Sequence, residues 1–399
     1  MSFTVSDRLA SLKPSAIREI FKVLQDPTVI SFAGGNPAPE TFPAEELAEI
    51  AARAVRDNPS LSLQYGITEG HPPLREATAA RLREKYNVGG PDDDLIITTG
   101  GQQGIELCTK ALVNEGDTVL CENPSFIGAL NAFRSYKANL VGVPVDAQGV
   151  CPDALEEALK TAPRIKLVYL IPTFQNPSGV TLTLERRKKV LTLCERYGVM
   201  LIEDNPYFEL RYSGEYVPPI KSMDDGGHVL YVGSFSKVIS PGLRVGFACG
   251  PKALIQKMVT AKQVSDVHTP PLNQLMVHDY LQSGRLDANI DRARDLYRRR
   301  RDLMAALLTE QLGGRLDFVL PDGGLFLWAR LTGGADGMAL ARAAGPHKVA
   351  VVPGSAFAPD ESAVVPAMRL NFSFANEEQI REGVKRLAAA MDEVYSVNS

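Results

Sequence analysis

The sequence predicts an α/β protein with a large domain, a mostly parallel sheet in an α/β/α sandwich, followed by a smaller α+β domain. Three observations predict it. From about residue 94, short apolar β-branched runs alternate with amphipathic helical stretches, the pattern of parallel strands joined by helical crossovers. Those runs are apolar along most of their length, as strands covered on both faces must be. The 399 residues are enough for two or three domains of roughly 100–200 residues each.

The elements follow in order. In SAIREIFKVLQ (15–25) the apolar Ile17, Ile20, Phe21 and Leu24 recur at helical spacing, with Ser15 as N-cap. A loop rich in Gly and Pro, FAGGNPAPETFP (32–43), comes next. Then DLIITTG (94–100) leads into GIELCTKALVNEG, DTVLCEN (117–123) into IGALNAFRSY, and KLVYLIP (166–172) into LERRKKVLTLCERYG. VMLIED (199–204) runs into a loop, and HVLYVGS (228–234) into a glycine-bearing turn and VGFACG. Residues 289–312 read as one long helix, in which Arg298, Arg299, Arg300 and Arg301 are expected to form a solvated face. Short strands are expected in LDFVL, GLFLWARL, VAVVPG and AMRLNFSF, with Trp328 in the core of the smaller domain, then a last helix over 377–396. The division is 41–285 for the large domain and 286–399 for the small one, with residues 1–40 packing on the latter.

Composition narrows the function. With 45% hydrophobic and 23% charged residues, disorder is excluded as the main reading. The 43 basic and 47 acidic residues leave a charge of −4, so no nucleic-acid partner is expected, though a site within can still be basic. Five scattered cysteines without a CxxC pair read as reduced thiols and not as a disulfide framework or a zinc site. No histidine or cysteine cluster has metal-ligand spacing. The start, MSFTVSDRLASLK, lacks the apolar core of a signal peptide. No apolar run nears the ~18 residues of a membrane span. A cytoplasmic location without membrane attachment is expected.

Ligands of open α/β sheets bind beyond the carboxyl ends of the strands, so the residues following each strand carry the chemistry. After DLIITT come Gly100 and Gly101, opening a helix whose free N–H groups suit a phosphate, or else an ordinary strand–helix turn. After KLVYLIP, Asn176 precedes a proline, where it could donate to an aromatic hydroxyl or simply serve the turn. After VMLIE, Asp204 at a buried strand end needs a partner, which a protonated ring nitrogen or the next turn could supply. After HVLYVG come Ser234, Ser236, Lys237 and, seven residues on, Arg244. Desolvation and nearby cations lower a lysine's basicity, which makes Lys237 a candidate Schiff-base amine, the alternative being a surface lysine. The two hydroxyls and the guanidinium could complete a phosphate cup with the Gly101 turn.

These motifs together (GGQQ, ENPSF, QNPSG, EDNPY and SFSKVISPGLR) resemble those of fold-type I, class I/II aminotransferases dependent on pyridoxal 5'-phosphate, over nearly the whole chain. SAIREI, SFAGGNPAPETFP, LQYG and DVHTPPLNQLMVH resemble the 2-aminoadipate/kynurenine branch. The resemblance implies the following roles. Lys237 binds the cofactor as a Schiff base and shuttles the proton. Asp204 holds the pyridine nitrogen protonated; Asn176 and Tyr207 bond the ring hydroxyl. Phe126 stacks on the ring where many relatives have tyrosine, which keeps the stacking but not a hydroxyl contact. Gly101, Gln102, Ser234, Ser236 and Arg244 hold the phosphate, joined by Tyr65 from the neighbouring subunit of a homodimer. Arg369 clamps the substrate α-carboxylate.

For the substrate side chain, the resemblance implies that Arg18 on the first helix pairs with a distal acidic group. Gly35 and Asn36 in the following loop are expected to line the pocket, Asn36 replacing the apolar residue of aminoadipate enzymes. His268 reads as loop or dimer-contact structure. The implied reaction is ping-pong transfer of an amino group between an L-amino acid (2-aminoadipate, glutamate, or a broad aromatic and aliphatic range) and a 2-oxo acid. A carbon–sulfur lyase would use the same lysine, aspartate and cup. A non-catalytic, effector-binding relative of a transcriptional regulator is disfavoured, because the substrate loop begins near residue 31 and no basic segment is present.

Overall fold

A computed structural model describes residues 3–10 and 26–397. The helix expected over 15–25, and Arg18 with it, lies outside the described residues. The large sheet has eight strands in the order Asp93–Thr98, Gly246–Pro251, Val229–Ser234, Met200–Asp204, Ile165–Leu170, Thr118–Asn123, Asn139–Asp146, Gly149–Val150. The five from Val229–Ser234 to Asn139–Asp146 are mutually parallel. Gly246–Pro251 runs antiparallel to both its neighbours, and Gly149–Val150 turns back on the edge.

Both faces of this sheet are covered, and the two-residue period of a strand shows it. Val119, Leu167, Tyr169, Ile202 and Leu230 belong to one core; Leu120, Val168, Leu170, Leu201 and Val229 belong to another. Successive side chains point to opposite faces, so each face needs its own helical cover. Helix Leu184–Tyr197 illustrates the local logic. Thr183 caps its start by accepting the Arg186 N–H, and Gly198 ends it in the left-handed region at φ 62°.

A second, four-stranded sheet is ordered Leu316–Asp317, Phe326–Leu331, Ala367–Asn371, Val352–Pro353, all antiparallel. Ile30–Ser31 pairs with Val349–Ala350 in parallel, and Ala38 N–H donates to the Tyr297 hydroxyl at 3.0 Å, so the loop after residue 30 is tied to the C-terminal part of the chain.

The run of four arginines is not the solvated face expected of it. Arg298 and Arg299 are exposed, but Arg300 and Arg301 are buried in helix Leu286–Leu312. They fall on the stripe of Tyr297, Met304 and Leu308, which the 3.6-residue period turns inward. Arg300 donates to Glu40 and to Ser373 O, each at 2.6 Å, and Arg301 donates to Pro321 O at 2.7 Å. Buried charges are tolerated when so partnered. The five cysteines are free thiols.

Candidate active site

The residues after the strands converge on one cavity of about 410 Å³. Asp204 ends strand Met200–Asp204, and Ser234 ends Val229–Ser234. Lys237 lies in the short 3₁₀ turn Phe235–Lys237, and Gly101 opens helix Gly101–Leu112. Asn176 comes from the loop beyond Ile165–Leu170, and Phe126 from the turn beyond Thr118–Asn123. All of them, with Gln102, Tyr207, Ser236, Arg244 and Gly35, border the cavity, which the small sheet closes with Phe326 and Arg369.

At one end the backbone is shaped for close approach. Helix Gly101–Leu112 starts without a side-chain cap, so its first N–H groups remain available to a ligand. A side chain at Gly246 would place Cβ 2.6 Å from the Gly100 carbonyl carbon, and one at Gly100 would meet the Arg244 guanidinium at 2.2 Å. Ser234 Oγ donates to Ser236 Oγ at 2.8 Å, and Arg244 donates to Thr99 O at 3.2 Å. Two hydroxyls, a guanidinium and a helix start thus surround one spot. The Gln102 carboxamide instead donates to Gly128 O at 2.8 Å, tying the turn that carries Phe126 to this helix.

At the other end, Asp204 is only 4% exposed. Burial pushes its carboxyl up to about 7, against the pull of a 2.7 Å hydrogen bond from the Tyr169 hydroxyl. Asn176 Nδ2 donates to the Tyr207 hydroxyl at 3.4 Å, and its Oδ1 accepts from Arg369 at 3.0 Å. Arg369 also donates to Ala33 O at 2.5 Å and stacks between Phe326 and Phe357, at 4.2 and 4.9 Å from their ring centres. Its Nε has no hydrogen-bond partner, and no carboxylate among the described residues pairs with it. Burial lowers its pKa to about 10. Lys237 Nζ donates to Gly35 O at 2.8 Å. Burial, then the charges of Arg369 and Arg244, lower its pKa to about 8.

This is a cavity with a lysine of reduced basicity, a buried carboxyl, two hydroxyls and a guanidinium beside a helix start, and a second guanidinium that no described carboxylate pairs. Residues 27–387 match the family described as aminotransferase class I and II.

The chain belongs to that family.

It is a pyridoxal-phosphate-dependent aminotransferase. Aromatic-amino-acid aminotransferase 1 of Thermococcus litoralis is 42% identical to it, over 97% of this chain and 94% of the relative. The crystal structure of the multiple substrate aminotransferase from Thermococcus profundus has a TM-score of 0.94 at 39% identity, with 98% of both chains covered. LysN, the alpha-aminoadipate aminotransferase of Thermus thermophilus, crystallised with N-(5'-phosphopyridoxyl)-L-leucine, has a TM-score of 0.90 at 38% identity, again over 98% of both chains.

Two sequence-derived residues of this aminotransferase stand apart from the cavity. Tyr65 is 82% exposed, its ring edge-on to His268 at 5.7 Å. Asn36 is exposed and does not border the cavity; its backbone oxygen accepts the Ser373 hydroxyl at 2.8 Å. Arg18 is outside the described residues.

Sequence reasoning passed over Tyr169 and Glu122. A tyrosine within the otherwise aliphatic run KLVYLIP was the available signal for the first. Glu122 is 2% exposed and accepts the Ile171 N–H at 2.9 Å and Gln175 Nε2 at 3.3 Å. Burial pushes its carboxyl from 4.5 up to about 8. A folded pKa above the unfolded one stabilises the fold below pH ~4.5, and that contribution is lost as the pH rises through about 8. Glutamine cannot titrate. The melting temperature of Glu122→Gln apoprotein, relative to the parent, is therefore expected to climb by roughly a few degrees from pH 5 to 8.5. Parallel calorimetry checks this, and a constant difference would refute it.

Proposed function

We propose that this aminotransferase moves the amino group of a broad range of L-amino acids, aromatic and 2-aminoadipate-like donors among them, to 2-oxo acids. The observation that carries the reading is the Arg369 guanidinium: buried, unpaired by any described carboxylate, and bordering the same cavity as Lys237. A charge left this way needs an anion, and an α-carboxylate is planar and bidentate as a guanidinium requires. The apolar walls, Ile105, Phe126, Ile127, Ile171 and Phe326, fit a large side chain. The relatives named above for aromatic, multiple and aminoadipate substrates support breadth.

The residues fit pyridoxal phosphate. Gly101, Ser234, Ser236 and Arg244 would hold its phosphate, Asn176 and Tyr207 its ring hydroxyl, Asp204 its ring nitrogen and Phe126 its ring face. When bound, the cofactor supplies the electron sink for the pair left as the Cα–H bond breaks. The protein's own part is positional. Arg369 fixes the carboxylate, and Lys237, held over the cavity, attaches the cofactor and moves the proton at Cα. Gln102, next along the same helix start, would add its backbone N–H to the phosphate site, while its carboxamide steadies the turn that carries Phe126 through the bond to Gly128 O. Tyr65, exposed in the single chain, would complete the phosphate site of a second copy in a homodimer. Gly35 would meet the substrate beside Lys237, and Arg18 and Asn36 are kept as candidates for the distal group.

The test uses the holoenzyme and single amino acids without acceptor: L-2-aminoadipate, L-glutamate, L-leucine, L-phenylalanine and L-kynurenine. Conversion of the bound cofactor to its amine form, with one 2-oxo acid released per site, is expected for several of them. Release of ammonia and pyruvate from a sulfur-bearing donor, without conversion by the panel, would favour elimination instead. Conversion by the dicarboxylic donors alone would remove the claim of breadth.

A further inference from the structure

We infer that Tyr169 is a positioning residue for Asp204, whose carboxylate it orients and keeps available to the cofactor's ring nitrogen. This rests on the placement of Asp204 against that nitrogen proposed above.

Tyr169 stands on strand Ile165–Leu170, beside Met200–Asp204 and in register with Ile202. It is wholly buried, with the Phe133 ring edge-on at 5.5 Å. Its hydroxyl donates to Asp204 Oδ2 at 2.7 Å and, among the described residues, is the hydrogen-bond donor that this carboxylate has. Asp204 itself borders the cavity. One oxygen is therefore tied from the sheet side, on a residue that borders the cavity.

The need for such a donor is electrostatic. A carboxyl this deeply buried is driven toward its neutral form, and a neutral acid cannot hold a pyridinium proton. A hydrogen bond to the charged form opposes that drive. The other titratable groups around it are Tyr207 on the following turn, Glu122 on the Thr118–Asn123 strand, and Lys237 and Arg369 across the cavity. Glu122 would compete as a second anion, and burial keeps it protonated to about pH 8. Burial first, and then the Asp204 charge, hold the Tyr169 phenol well above its ordinary range, so the donor keeps its proton. Phenylalanine would fill the same space between Phe133 and the sheet, so the hydroxyl contributes something other than packing.

The experiment compares parent, Tyr169→Phe and Asp204→Ala holoenzymes loaded with pyridoxal phosphate labelled with ¹⁵N at the ring. In Tyr169→Phe the nitrogen resonance is expected to move toward the unprotonated position. The dissociation constant of the cofactor should rise about 10- to 100-fold, the worth of one hydrogen bond to a charged group. The turnover number should fall by a similar factor while KM for the amino donor changes by less than about threefold. An unchanged resonance and cofactor affinity in Tyr169→Phe, with both altered in Asp204→Ala, would overturn the inference and leave the Asp204 placement standing. A resonance unmoved in Asp204→Ala would overturn that placement and the inference with it. A melting temperature lowered in Tyr169→Phe without any nitrogen shift would assign Tyr169 to packing alone and likewise overturn it.

Discussion

Lys237→Ala is expected to slow amino transfer by about 10⁴-fold or more, the largest loss from any single change in the cavity. Proton transfer by a positioned side chain accounts for roughly 10²–10⁴-fold by itself, and the covalent attachment adds to it. The fold should survive. Lys237 is partly exposed to the cavity and its one bonded partner among the described residues is the Gly35 carbonyl, a group that water can satisfy. Single-turnover conversion at saturating amino acid measures the effect, with the melting temperature as control. A loss below tenfold would mean that another group moves the proton. The parent carries its own pH signature. With the amine pKa near 8, the neutral and nucleophilic fraction grows as the pH rises through that value. Capture of added pyridoxal phosphate by apoprotein should therefore accelerate from pH 7 to 9 and then level off.

Arg369→Leu is expected to lower kcat/KM by about 10²–10⁴-fold for every amino donor. The arithmetic is that of two hydrogen bonds to a charged group, roughly 1.5–3 kcal/mol each. The loss should be equal for donors with acidic, aromatic and aliphatic side chains, because the α-carboxylate is common to them all. A loss confined to dicarboxylic donors would place Arg369 at the distal group instead. Unfolding is not expected, since an apolar residue here removes a buried charge without stranding a carboxylate partner. The change also acts on Lys237, whose basicity the Arg369 charge helps to depress. The midpoint of cofactor capture should shift to higher pH in Arg369→Leu and stay in place in Arg369→Lys. Steady-state kinetics on three donors and a pH series on the apoprotein read both effects.

Much of the cavity was legible because its parts lie just after strands and each has a local reason to be there. Gly100 and Gly101 stand where a helix must begin close to a ligand, and Gly246 where no side chain fits against them. Asp204 and Lys237 each follow a run of apolar residues that had to be a buried strand. Nothing local told how a residue would be paired across the chain. Asn176 reads as a turn residue in isolation; its contact with Arg369 spans 193 positions. Arg300 and Arg301 read as solvated from a run of four, and the helix's inward stripe buried them. Asn36 was expected in the pocket from its neighbours; in the single chain it is exposed, with its carbonyl accepting the Ser373 hydroxyl, and nothing local told of that contact.

The sequence by itself determined the alternation of strands and helices, through periodicity, and offered the lysine, the aspartate and the glycine turn as candidates, through chemistry that must sit at a given place along one element. The family came from the resemblance of its motifs. The tertiary structure alone decided which groups meet. It set Tyr169 beneath Asp204, threaded Arg369 through Asn176 to Tyr207, and closed Glu122 away from water. The reason is physical. Basicity and hydrogen bonding depend on burial and on neighbours a few ångströms away, and those neighbours come from strands far apart in the chain.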